Sequence, residues 1–266
     1  MQIKNQIKII GVKNIPLIKE GDNIPRIIFN TLRENSLNLK DKDIIVIAQS
    51  IISKSNGRIK NLNEVNPSKK AIEIYKKIEP KAKKVGIPMK SPELIQAILD
   101  ESREILKIEH VLIVETKPQG FICANAGIDQ SNVAGKNNIT LLPENPDEDA
   151  KKIRNELKKL TKREVAVIIS DSFGRPFRNG SIGVALGIAG INPILDKRGF
   201  KDLFGYELQT TIIGQADNIV SAAQLIMGEA DEGIPVVIIR GYDYEIDENA
   251  SIKTILREID LDIFRS

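Results

Sequence analysis

Apolar positions fall into two patterns along the chain. Short unbroken runs at residues 6–12, 43–48, 111–115, 120–124, 165–170 and 235–240 predict strands, with further strands over 181–189 and 208–213. Spaced apolar stripes predict helices over about 24–35, over 217–227 and over 251–258 at the end. Three more helices announce their starts as Asn66-Pro67, Ser91-Pro92 and Asn145-Pro146, a capping side chain before a proline at the first helical position. Glu148, three residues after Asn145, completes a near capping box, and Ala150, Ile153, Leu157 and Leu160 then line one face for packing on a sheet. Strands follow one another without an intervening helix in two places. That excludes a purely doubly wound parallel sheet and predicts an α+β fold of mixed sheets with packed helices. No repeat or Pro/Gly/Ser linker divides the chain, so residues 1–266 are expected to form one unit, with two interleaved lobes.

Composition changes this picture little but removes several function classes. The 41% apolar and 28% charged residues are those of a water-soluble globular chain, and no run approaches the roughly 20 apolar residues of a membrane span. A cytoplasmic protein with no membrane partner is the expectation. Cys123 is the only cysteine and His110 the only histidine, so an internal disulfide, a cysteine cage and a His-rich metal site are excluded. Both are read as structural. Net charge is +3, from 39 basic and 36 acidic residues scattered along the chain, which gives no nucleic-acid footprint. The densest basic stretch, 69–90, carries one aromatic residue, Tyr75, and reads as a solvated helix face.

Candidate chemistry lies where apolar runs end. Asp171 and Ser172 follow the strand at 165–170 and open a stretch read as a loop, 171–180. A carboxylate beside a hydroxyl at the carboxyl end of a buried strand is a common way to present hard oxygen ligands to a metal or phosphate. Asp129 and Asn132 sit in a run of small residues after another strand, where backbone can approach a ligand closely. Gly228 is read as a left-handed helix cap, with Glu229, Asp231 and Glu232 immediately beyond. Three acids at the negative end of a helix repel the dipole and one another unless a cation or water screens them. Taken singly, solvated turns explain each cluster; taken together they suggest a magnesium-type site for a phosphorylated ligand.

No G-x-x-x-x-G-K-[ST] and no G-x-G-x-x-G is present, so neither a P-loop nor a Rossmann fold is expected, and Gly183, Gly187 and Gly190 are read as strand-packing residues. Arg175, Arg178, Lys197 and Arg198 offer cations for an acidic substrate or, equally, surface ion pairs. No side chain stands out as a catalytic acid or base. A serine-hydrolase triad has no support, lacking G-x-S-x-G.

Several segments occur in one order: Ile15-Pro-Leu-Ile18 with Lys19-Glu-Gly-Asp22, Gln49-Ser50 to Lys54 with Gly57-Arg58, residues 125–132, 169–175 and 225–235. That order resembles the coenzyme F-420-0:gamma-glutamyl ligase family essentially from end to end. The resemblance implies a mixed α+β homodimer that uses GTP and two divalent metal ions, magnesium or manganese with potassium as a candidate third, to add L-glutamate to the deazaflavin precursor F-420-0. By position it implies that Ile15, Pro16, Leu17, Ile18, Gln49, Ser50, Lys54, Asn132 and the stretch Met227, Gly228, Glu229, Ala230, Asp231, Glu232, Gly233 and Ile234 line a GTP pocket. Asp129 and Asp171 would hold one metal, Ser172 and Glu229 a second. Where the family carries a Ser-Thr pair this chain has Gln49-Ser50, and Ser172 stands in place of a threonine. Two other readings stay open at this point. A phosphatase with Asp171 as nucleophile would want a second aspartate where Phe173 stands, and a non-catalytic nucleotide-binding module would need no metal cluster.

Overall fold

The computed structural model describes residues 6–88, 90–117 and 119–262. Its centre is a five-stranded mixed sheet, and the alternation of side chains along its strands explains how two cores form. The strands β1 (Lys8–Gly11) and β2 (Ile44–Ala48) flank α1 (Ile24–Glu34), which Asn23 caps by accepting from Arg26 N at 3.0 Å. Ile45 and Ile47 of β2 point into a core shared with Ile28 and Leu32 of α1, whereas Ile44 and Val46 point into a second core on the opposite face. Both faces are therefore covered, which is why this strand reads as an unbroken apolar run.

From β2 the chain passes straight into α2 (Gln49–Ser55), a seven-residue helix too short for apolar periodicity to reveal, and then into β3 (Ile59–Asn61). A third core follows. It is built from α3 (Lys69–Val85), α4 (Pro92–Glu101), the antiparallel sheet β4 (Ser102–Ile108), β5 (Leu112–Thr116) and β6 (Ile122–Ala124), and β7 (Asn138–Thr140), which pairs with β3. Ser91 caps α4 as expected, accepting from Leu94 N at 3.2 Å. The cap of α3 is not Asn66. Ser68 takes that role, accepting from Ala71 N, so the helix begins two residues beyond Pro67.

The chain then returns to the large sheet. In α5 (Pro146–Thr161) Ala150, Ile153 and Leu157 join the first core, but Asn145 makes no side-chain cap hydrogen bond. Acidic residues in the first turn serve the helix end instead, and Asp147 also accepts from Ile188 N at 2.9 Å and Ser251 Oγ at 2.8 Å. β8 (Ala166–Arg175) runs parallel to β2 and turns back as β9 (Arg178–Ala189). The stretch read as a loop at 171–180 is thus mostly paired strand. Pro176 and Phe177 form the tip of a hairpin, with Gly174 and Gly180 in its strands, and a register shift between Ile169 and Ser170 lies just before Asp171.

Beyond β9 lie the two-residue pair β10 (Leu195–Asp196) and β11 (Ile212–Ile213), α6 (Gln215–Met227) and β12 (Val236–Arg240). The expected strand at 208–213 shrinks to β11, since Leu208 is instead bonded to the turn carbonyl of Phe200. The expected last helix is a 3-10 turn, Ile252–Ile255, capped by Ser251. The sheet order is β1-β12-β2-β8-β9, with α1 and α5 on one face and α6 on the other. Among the described residues no helix is long and apolar enough to cross a membrane.

Two glycines of β9 set the distance of those helices. A Cβ on Gly187 would overlap the backbone carbonyl of Pro146, and one on Gly183 would lie 2.7 Å from Val220. The reading of these residues as packing positions holds. Gly187→Ala is expected to destabilise the fold by about 3 kcal/mol, because backbone rather than a flexible side-chain end must yield. Urea denaturation checks this, and a midpoint equal to that of the wild type contradicts it.

Candidate active site

One cleft of about 450 Å³ opens where the parallel pairing of β2 with β8 ends, at Ala48 opposite Ser170 midway along β8. Ligand crevices in open α/β sheets form at such strand ends. From β2 come Ala48 and then Gln49, Ser50, Ile51 and Lys54 of α2; from β8 come Ser170, Asp171 and Ser172. The remaining walls are residues 15–18 after β1, the loop containing Asp129, Ser131 and Asn132, and residues 227–235 after α6. Every residue named from the sequence as a nucleotide or metal ligand lines this cleft. Ser131, Gly183, Val220 and Gln224 line it too, and sequence reasoning misses them. Only Ser131 has a sequence signal, its place two residues after Asp129 in an Asx-type turn.

Asp171 lies in the cleft floor. Burial pushes its carboxyl up to about 7, with the negative charges of Asp129 and Glu229 adding to the shift and the hydrogen bond from Ser172 N opposing it. Its charge reaches Cys123 behind it, a buried thiol held at about 12 chiefly by desolvation, which fits the structural reading of that residue. The next residue, Ser172, donates from Oγ to Glu229 Oε2 at 3.0 Å. Strand pairing sets this contact: Ser172 lies opposite Gly183, whose bare Cα lets β9 press on Val220 and Ser221 of α6 and so brings the end of that helix to β8.

Asp129 is fixed by main-chain hydrogen bonds in both directions with Thr140, while its carboxylate accepts from Ser131 N at 2.7 Å and Ser131 Oγ at 2.6 Å. Asn132, at φ 52°, donates from Nδ2 to Ala230 O at 3.1 Å and ties this loop to the segment after α6. Gly228 ends α6 at φ 67°, ψ −168°, an extended positive-φ conformation open to glycine rather than the left-handed cap expected. The carboxylate of Glu232 folds over it and occupies the space that a Cβ on Gly228 would need. Glu232 accepts from Ala230 N at 2.9 Å, and such backbone donors hold its carboxyl below the usual range.

The cation in the cleft is Lys54, in the last turn of α2. Burial lowers its pKa and the opposing charge of Asp129 raises it. Gln49 is 4% exposed, and its Oε1 lies 2.8 Å from Ser53 Oγ, so its amide belongs more to the wall than to the opening. The other cations are elsewhere. Arg175 and Arg178 flank the hairpin tip, where Arg175 donates to Gly180 O at 3.0 Å; Arg198 pairs with Asp196, and Lys197 stacks over Phe200. Neither they nor His110 line the cleft.

Among the described residues no three Asp, Glu, His or Cys side chains are grouped so as to hold a metal ion by themselves. The donors are spread instead: half-buried Asp171, disfavoured as an anion first by desolvation and then by the charges of Asp129 and Glu229, and a Ser172–Glu229 pair beside it. This suits a magnesium-type ion, which binds one or two carboxylates and takes its other ligands from water and substrate phosphates.

The family model described as F420-0:Gamma-glutamyl ligase matches residues 12–241. The "Coenzyme F420:L-glutamate ligase" of Methanothermobacter thermautotrophicus is 47% identical over 260 residues, covering 97% of this chain and 99% of the relative. The protein of that name from Methanocaldococcus jannaschii is 46% identical over 266 residues, 99% of this chain and 98% of its own. The one from Archaeoglobus fulgidus is 40% identical over 260 residues, 98% and 97%.

Proposed function

The chain belongs to the F420-0:gamma-glutamyl ligase family, and from that premise we propose that it joins L-glutamate by an amide bond to the deazaflavin precursor F420-0, with GTP as phosphoryl donor. The observation that carries this reading is the convergence of Asp129, Asp171, Ser172, Glu229 and Lys54 on one cleft where the parallel pairing of β2 and β8 ends.

A carboxylate does not react with an amine until one oxygen becomes a leaving group. Attack of the acceptor carboxylate on the γ-phosphorus of GTP forms an acyl phosphate and releases GDP. The amine of glutamate then attacks the acyl carbon, loses a proton, and expels inorganic phosphate. Asp129 and Asp171 would hold one divalent ion and Ser172 with Glu229 a second; bound there, the ions would offset charge developing on the transferred phosphoryl group.

The chain's own groups do the rest. The apolar residues Ile15, Ile18 and Ile234 offer a wall for the nucleotide, and the open backbone at Gly233 leaves room for a ligand to approach closely. Lys54 places a positive charge across from Asp129 without being within ion-pair distance of a carboxylate among the described residues. The same reading carries a homodimer, as the family resemblance implies; Phe177, Leu203 and Phe204, each more than nine-tenths exposed, are apolar side chains that a second copy could cover.

Mass spectrometry of F420-0 incubated with the protein, glutamate and magnesium tests the assignment. A mass increase of one glutamyl residue with GTP, and little or none with ATP, is the expected result. Hydrolysis of simple phosphate esters without glutamate addition would point to a phosphatase, and binding without turnover to a sensor.

A further inference from the structure

Glu229 sits where a carboxylate is least at ease. It follows α6 by two residues, faces the negative end of that helix's dipole, and is exposed. Nothing in its own loop holds it toward the cleft, and water would solvate it equally well turned outward. Two side chains from different elements fix it. Ser172 of β8 donates to Oε2, and Gln224, in the last turn of α6, donates from Nε2 to Oε1. Each carboxylate oxygen thus has one protein donor. Gln224 itself lines the cleft, and the close packing of Gly183 on Val220 and Ser221 fixes its helix against β9, whose Gly183 pairs with Ser172 of β8.

We propose that Gln224 is a positioning residue for the divalent-ion site, its amide holding the Glu229 carboxylate turned toward the cleft. The inference rests on the metal reading given above and adds to it a residue that touches neither reacting atoms nor phosphate. An amide suits the task because it donates a hydrogen bond without adding charge, so it orients the carboxylate without neutralising it. A lysine at the same place would compete with the ion for Glu229. Partners that orient metal ligands in this way change metal affinity by about ten- to a hundredfold when removed.

The test compares the full-length wild type with Gln224→Met, which keeps size and removes the donor, and Gln224→Glu, which replaces the donor with a like charge. Mn²⁺ binding is read by electron paramagnetic resonance in the presence of GTP, and thermal melting is followed without metal. Gln224→Met is expected to weaken Mn²⁺ binding about tenfold and Gln224→Glu more, with the melting temperature within a few degrees of the wild type. Steady-state assays of Gln224→Met should show a raised Mn²⁺ requirement and a kcat restored by excess metal. Unchanged Mn²⁺ affinity in both variants, with wild type binding normally, would overturn the role of Gln224 alone. Absence of Mn²⁺ binding to the wild type would overturn the metal reading and this inference together. A kcat loss that excess metal does not restore would also overturn the positioning role.

Discussion

Asp171→Asn is expected to lower ligation about a thousandfold while making the metal-free protein more stable at neutral pH. The two effects have one origin. Asp171 is half-buried near the charges of Asp129 and Glu229, and desolvation with those charges pushes the carboxyl up to about 7. The folded chain therefore binds a proton there that the unfolded chain, with an ordinary aspartate near 4, has released. Between about pH 4 and pH 7 the native state holds more protons than the unfolded state, so this group lowers stability as pH rises. Above about pH 7 the full penalty is present, and below about pH 4 it vanishes. A tenfold difference in proton affinity between the two states corresponds to about 1.4 kcal/mol, so asparagine should relieve at most a few kcal/mol, and only in the upper range. In the proposed mechanism catalysis depends on that same charge: without it, a divalent ion offsetting phosphoryl charge would lose a ligand. Melting curves of wild type and variant at pH 4, 7 and 8.5 in chelator, with turnover measured at saturating magnesium, check both halves. A variant that turns over normally removes Asp171 from the mechanism.

Lys54→Met should lower kcat with GTP about a hundredfold, a loss comparable with removal of one charge-stabilising donor from other active sites. Methionine keeps the apolar stem in place and removes the ammonium. Burial disfavours that ammonium in the folded chain, and the charge of Asp129 offsets only part of the cost. The substitution is therefore expected to leave stability unchanged or slightly higher. If Lys54 stabilises charge that grows during phosphoryl transfer, the loss falls on kcat rather than on the KM for GTP. A rise in KM with kcat intact would make it a ground-state binding residue instead.

These expectations draw unequally on sequence and structure. β2, β8 and β12 are legible because both faces of the central sheet are covered, so their residues form unbroken apolar runs. Cap-proline pairs mark the starts of α4 at Ser91 and of α5 at Asn145, although Asn145 makes no side-chain cap bond; the pair Asn66-Pro67 misplaces the start of α3, because Ser68 supplies the cap. The short elements α2 and β3 carry too few residues for any period. At 171–180, glycines and a proline spread over ten residues mimic a loop, although pairing with β9 continues to Arg175.

The cleft is legible from ordered motifs that resemble one family. From physical chemistry alone, Asp129, Asp171 and Glu229 are three separate strand-end or helix-end acids, and their convergence requires the sheet order. Gln224 carries no local signal, since a glutamine near a helix end is ordinary; only the packing of α6 on β9 brings it to Glu229. The arginines flanking the hairpin tip show the reverse case, cations that look suited to a substrate and lie outside the cleft.

The most direct test is anomalous diffraction from crystals grown with Mn²⁺ and a non-hydrolysable GTP analogue. Manganese peaks in the cleft, bonded to Asp171 and Asp129 and to oxygens of the triphosphate, are the predicted result. A triphosphate bound elsewhere, or held in this cleft with no metal at those carboxylates, would contradict the account.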